Sequence, residues 1–328
     1  MAEKEKKKKG SGSSAKNNTV KVVGYLKENK LERIVNSRGA QVITGSLTIA
    51  TDKLSSHRIQ FYVSEFMKSG EESEDYNNLS ALLPENTITI ASFLKENPEA
   101  DFATAANAAS KIWVIARFEE YASRTGERVR SMVTLKGFKA GFAKADKPFT
   151  PCAEFTVDVY INELTPEVVD EEETGRIILE GLIPKYDGSV DKIDFIAGTE
   201  DGIADYIKKN YHQGDTVNLT GDVVNLQERH LVADAEDENT HFGRPASGPQ
   251  YETKFIHERR ICGGSTTALR EGFAADVIKE GLATREIKMT ENGERAMAKA
   301  QASPAAPAKP TSAPKKVETP VNSDDIDF

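Results

Sequence analysis

From Thr19 to Cys262 apolar and polar residues alternate in short runs closed off by glycine, asparagine and serine. A period of two sends one face of each run to a core and the other to solvent, so the chain must build sheets. In the first half the runs fall at 20–26, 41–51, 57–66, 111–121 and 128–138. Ile43, Leu47 and Ile49 share the inner face of the second run. In the third, Ile59, Phe61 and Val63 point inward while Arg58, Gln60 and Tyr62 point out. Residues 68–75 read as an acidic loop, the alanine-rich 99–110 as a short helix, and Ser123-Arg124-Thr125-Gly126 as a hairpin turn. Five strands and one small helix are the elements of a partly open Greek-key barrel.

The theme repeats. Strands are expected at 154–162, 176–184, 192–197, 216–223 and 253–261, with an amphipathic helix over 200–211 that aligns Ile203, Tyr206, Ile207 and Tyr211. Asp170-Glu171-Glu172-Glu173 reads as a solvated linker, lacking the glycine-punctuated spacing of a calcium loop. Helical stretches follow at 268–283 and 286–300, the first with Phe273, Val277 and Ile278 on one face. A length of 328 residues at roughly 150 per domain agrees with two units plus tails. The expected fold is mainly β: two tandem OB-like Greek-key barrels with short helices, a C-terminal helical segment and a disordered tail. The expected divisions are a disordered basic arm over 1–18, a first barrel over 19–150, an acidic second barrel over 151–264, a helical segment over 265–300, a linker over 301–322 and a tip over 323–328.

Charge is distributed unevenly. Between 153 and 250 there are 22 acidic residues against 7 basic ones, whereas 16–152 carries 19 basic against 16 acidic, within a chain of net charge -9. A polyanion would therefore meet the first half, or the stretch after 250, and the acidic segment would face elsewhere. Lys4 to Lys9 form a lysine-rich run that suits either loose phosphate contacts or solubility.

Enzymatic chemistry finds no foothold: the sequence has no GxxxxGK[ST] loop and no HExxH, because His257-Glu258 runs into Arg259-Arg260-Ile261. The histidines 57, 212, 230, 241 and 257 are scattered, and Cys152 and Cys262 stand alone as ordinary thiols. The expectation is a protein that is not an enzyme and needs no cofactor or metal. With no secretory h-region after the lysine run and no apolar stretch of about 18 residues, a cytoplasmic protein without a membrane partner is expected.

At the end of the chain Asp324, Asp325 and Asp327 accompany the apolar Ile326 and Phe328, behind a stretch of alanine, proline, lysine and threonine. Three aspartates, the terminal carboxylate and two apolar anchors on a tether suit a small hydrophobic pocket rimmed by cations on a partner protein. This tail, together with the helix, glycine turn and strand from Tyr206 to Val223 that includes Gly214, Val217, Leu219 and Gly221, resembles bacterial and phage single-stranded DNA-binding proteins. Two barrels and Asp327 in place of the usual proline fit a tandem, phage-encoded type better than the cellular one. The resemblance implies a protein that coats unpaired DNA and recruits replication, recombination and repair proteins through its tip, with a homo-oligomer among the partners it allows, in a bacterial cell or in the host cytoplasm.

Gripping a single strand takes cations along a groove and rings on which bases stack. Strand alternation groups Lys111, Trp113, Arg117 and Tyr121 on one face, and Arg128, Arg130, Lys136 and Phe138 on another. Arg58 and Tyr62 from the third strand, and Lys139, Phe142 and Lys144 beyond the fifth, complete the candidate DNA-binding set. Tyr251, Lys254, Arg259 and Arg260 form a weaker second patch. Two alternatives stay open: a recombination mediator or replication adaptor whose strands bind protein, and a β-rich virion assembly protein.

Overall fold

The computed structural model describes residues 15–67, 69–125, 128–233 and 250–302. Of the loop expected over 242–250 only Gln250 is described, as the first residue of a strand; the lysine run, most of the linker and the tip at Asp324, Asp325, Ile326, Asp327 and Phe328 lie outside the described residues.

The first barrel is built from β1 (Asn18–Asn29), β3 (Gln41–Ala50), β4 (Ser56–Ser64), β5 (Lys111–Thr125) and β6 (Arg128–Phe142), with β2 (Glu32–Val35) a short flap paired to β3. It closes in the order β1-β3-β4-β6-β5-β1, all pairs antiparallel except β4 with β6. The second closes the same way from β7 (Cys152–Val169), β8 (Glu172–Pro184), β9 (Val190–Ala197), β11 (Gln250–Gly264) and β10 (Thr216–Ala233), with β9 and β11 parallel. This is OB connectivity twice, and the expected mainly-β fold is what the chain adopts.

The barrels are joined edge to edge. β1 pairs with β7 from Asn18↔Val157 to Val23↔Cys152. Val20 faces Phe155 across this seam, and their partners on the other side are Ala116 and Gly221. The register thus relates the two halves by a pseudo-twofold, which carries Glu120 of β5 onto Asn225 of β10. Each of these residues crosses to the opposite barrel: Glu120 accepts from the Lys192 backbone N–H at 3.0 Å, and the Asn225 amide donates to His57 at 3.0 Å. Beneath the seam the rings of Phe118, Phe155 and Phe195 meet at 5.4 to 6.0 Å, so the two barrels share one apolar core.

Several local expectations are corrected. Between β4 and β5 lie three helices, α1 (Glu74–Ser80), α2 (Ile90–Glu96) and α3 (Phe102–Ala108), where only the last was foreseen. Their caps are visible in retrospect: the Ser73 hydroxyl accepts from Tyr76 N–H, Thr89 and Ser92 form a capping box, and Asp101 accepts from Thr104 N–H. β5 runs through Thr125, past the expected turn at Ser123. The acidic run is no linker, since Asp170 and Glu171 both take positive φ, 52° and 71°, and turn β7 into β8. Residues 15–18, counted with the arm, are built in: Ala15 N–H donates to Pro184, and Asn17 donates to the Asp158 carboxylate from both its backbone N–H and its side-chain amide.

α4 (Ile203–Asn210) lies between β9 and β10, with Ala204 and Ile207 buried. The two expected C-terminal helices are one, α5 (Ala275–Ala302). Its Ile278 is buried with Leu182 and Val190 of the second barrel. Gly281 permits that approach, because a Cβ there would stand 2.6 Å from Val190 Cγ1.

Candidate nucleic-acid interface

Along β5, Ile112, Val114, Ala116 and Phe118 are buried, which turns Lys111, Trp113, Arg117 and Tyr121 outward as the alternation requires. β6 departs from simple alternation. Its register jumps from Ile115↔Lys139 to Ala116↔Gly137, leaving Phe138 as the extra residue of a bulge. Phe138 and Lys139 consequently both reach solvent, with Gly137 and Ala140 inward on either side. The inward position 137 is a glycine because the Phe61 ring occupies the space a side chain would need.

β4 runs alongside β6, Gln60 facing Lys136, and presents Arg58 and Tyr62 on the same outer surface. Tyr62 and Phe138 directly follow the paired Phe61 and Gly137. The structure therefore brings Arg58, Tyr62, Lys136, Phe138, Lys139 and Arg117 onto one continuous face over three neighbouring strands. Two of the cations are engaged locally: Lys136 forms an ion pair with Glu119 at 3.0 Å, and Arg58 Nε donates to Ser46 Oγ at 3.3 Å. Lys136 sits opposite Arg117 in the ladder, so Glu119 also offsets the repulsion between them.

The remaining candidates extend this face lengthwise. Toward one end, Trp113 is half-buried over Gly141, whose missing Cβ makes room for the indole at 3.1 to 3.2 Å. Phe142 and Lys144 are exposed nearby. Lys111 is partly committed, its Nζ lying 5.2 Å from the centre of the Phe149 ring, which in turn packs on Tyr25. Toward the hairpin tip, Tyr121 and Arg130 are exposed; Arg128 is in β6, its side chain outside the described residues. The arrangement is a stripe along the β5–β6 ladder, broadened at its middle by β4.

The weaker patch on β11 does not assemble. Arg260 pairs with Glu258 at 3.1 Å, and Arg259 Nε donates to the Asp194 carbonyl at 2.5 Å. Lys254 alone is exposed, and the Tyr251 side chain lies outside the described residues. Sequence reasoning passed over two rings on the second barrel. Tyr186, in the β8–β9 turn, is 87% exposed, and Phe255 is 61% exposed with its ring stacked on His257. Alternation gives no sign of a ring set in a turn.

Between the barrels lies a cleft of about 790 Å³, walled by Arg58 and Gln60 of β4, Tyr121 of β5, Lys192 of β9 and His257 of β11. At its edge His57 is fully buried. Burial lowers its pKa to about 4, so the ring is neutral, accepting from Asn225 at Nδ1. Burial raises the thiols of Cys152 and Cys262 above their ordinary value, and Glu154 and Asp222 add to the rise. No helix among the described residues is long and apolar enough to cross a membrane.

The sequence profile of one family, YorF, matches residues 16–295. The chain belongs to the YorF family. No curated protein matches this YorF member. Its barrels have some likeness to the single-stranded DNA binding protein of Thermus aquaticus, at 11% identity and a TM-score of 0.41 over 78% of this chain and 95% of that one. A deletion mutant of the same Thermus protein gives 12%, 0.43, 80% and 98%. A replication protein A heterotrimer bound to single-stranded DNA gives 10%, 0.18, 74% and 49%. With identities and scores this low, the two-barrel architecture of the YorF chain stands on its own strand register.

Proposed function

We propose that this protein binds single-stranded DNA without reading sequence, chiefly through the outer face of β4, β6 and β5. The observation that carries the reading is the bulge at Phe138. It turns Phe138 outward on the strand next to the one that carries the exposed Tyr62, with Arg58, Arg117 and Lys139 on the same outer face of the barrel. Rings there stack bases of any identity, each contributing about 1–3 kcal/mol, while the cations follow the phosphates. In this reading the protein acts by binding and not by catalysis. Residues 19–150 and 151–264 are its two units, and the tip from Ser323 to Phe328 recruits replication, recombination or repair proteins to the coated strand in the cytoplasm.

A gel shift comparing oligo(dT) with duplex of equal length tests the first part: retention of the single strand alone is expected. The log of the affinity should fall with log salt by about 0.7 per neutralised phosphate. Equal affinity for both forms, or binding indifferent to salt, refutes it. Removing Ser323 to Phe328 should leave DNA affinity intact and abolish partner capture; loss of DNA binding instead would reassign the tail.

A further inference from the structure

We infer that Tyr186 of the second barrel holds a base of the bound strand, so that the DNA path crosses the seam and does not end on the first barrel. This rests on the proposed DNA-binding reading and adds a residue and a direction to it. Where the start of β1 lies against the end of β8, a pocket of about 680 Å³ is walled by Phe138 and Arg117 from the first barrel and by Tyr186 and Lys185 from the second. Phe138 is the bulge residue at the centre of the stripe, so the pocket continues that surface.

Three observations favour a base at Tyr186. The ring is 87% exposed, so packing of the fold does not explain it. Its turn is rigid: Lys185 N–H donates to Ser189 at 2.8 Å, the Asp187 carboxylate accepts from Ser189 Oγ at 2.6 Å, and Lys288 of α5 grips Asp187 at 2.6 Å. The backbone that carries the ring is thus fixed before binding, so stacking costs only the freedom of the ring's own side-chain torsions. The pocket's charge also suits a phosphate chain. Its acids are already neutralised from outside, Glu119 by Lys136 and Asp187 by Lys288, while Arg117 has no ion-pair partner among the described residues. The acidic second unit therefore offers a locally favourable landing point for a polyanion.

The test uses the full chain and oligo(dT) substituted with 5-iodouracil. Irradiation should produce an adduct on Tyr186. Tyr186→Ala should weaken binding about 5- to 150-fold, and Tyr186→Phe should bind like the wild type. The melting temperature of Tyr186→Ala should match the wild type, because the ring supports no packing. If the wild type and Tyr186→Ala bind equally and no adduct forms at Tyr186 while Phe138→Ala is impaired, the seam crossing is overturned and the first-barrel site survives. If the wild type itself fails to retain oligo(dT), both fall together.

Discussion

Arg285 of α5 holds the buried carboxylate of Glu120 of β5 in its guanidinium fork, Nε to Oε2 at 2.7 Å and Nη2 to Oε1 at 2.5 Å. Burial alone would raise the pKa of Glu120, but Arg285, Ser131 and the Lys192 N–H together hold it below the ordinary value. Because Ile278 anchors the same helix in the second barrel, α5 straps the β5–β6 hairpin of one barrel to the body of the other.

Arg285→Ala should accordingly cost about 3–5 kcal/mol, the effect of stranding one charge of a buried pair. Replacing both partners, as in Glu120→Leu with Arg285→Leu, should recover most of that loss. Urea unfolding of the three proteins measures it; a single variant as stable as wild type would show that the strap contributes nothing.

Stability against pH should divide between two buried groups. His57 has its pKa lowered to about 4 by burial, so below 6.5 the unfolded chain takes up a proton that the folded one refuses. Stability from this group is therefore lost as pH falls from 6.5 to about 4, by roughly 3 kcal/mol. Asp191 has its pKa raised to about 6 by burial, which Lys185 only partly opposes, and one carboxylate oxygen has no hydrogen-bond partner. Its ionised form is penalised in the fold, so acidification from about 6 to 3.8 restores a comparable amount. Relative to wild type, thermal melts across this window should show His57→Gln gaining stability on acidification and Asp191→Asn losing it. Parallel profiles for all three would contradict the assignment.

Gly137→Ala should destabilise by about 1–3 kcal/mol, because the new methyl would collide with the Phe61 ring and stand 2.9 Å from Ile59 Cγ2. Phe61→Leu should relieve the clash in part. Calorimetry on the two single variants and the double gives the coupling, and strict additivity would exclude the contact.

DNA binding should separate into two kinds of loss. Arg58→Ala and Lys139→Ala should each lower the salt slope by about 0.7. Phe138→Ala should cost about 1–3 kcal/mol with the slope unchanged, since stacking releases no counterions. Salt titrations read by anisotropy distinguish them; a slope altered by Phe138→Ala would point to a rearranged bulge.

Alternation made the barrels legible, because a strand with one face in a core writes its burial directly into its residue pattern. The outward set Lys111, Trp113, Arg117 and Tyr121 came from that rule alone, and the structure keeps it. What alternation could not convey was register. The bulge that puts Phe138 and Lys139 on one side is a shift in the pairing of β6 with β5, and the glycine next to it answers to the Phe61 ring that β4 brings up from far away in the chain. α1, α2 and α3 have 7 residues each, too few for a helical period to stand out; the alanines of α3 gave it away, whereas only the Ser73 and Thr89 caps mark α1 and α2. Glu120 and Arg285 lie 165 positions apart, and neither carries any local hint of the other.

The hydrogen-bonded ladder between β1 and β7 gives the molecule a fixed gauge. Modules strung on a slack tether can slide their footprints relative to each other; halves riveted along six consecutive rungs, Asn18 to Val23, cannot. Whatever lies across this chain must conform to one invariant spacing, as a rail conforms to its sleepers.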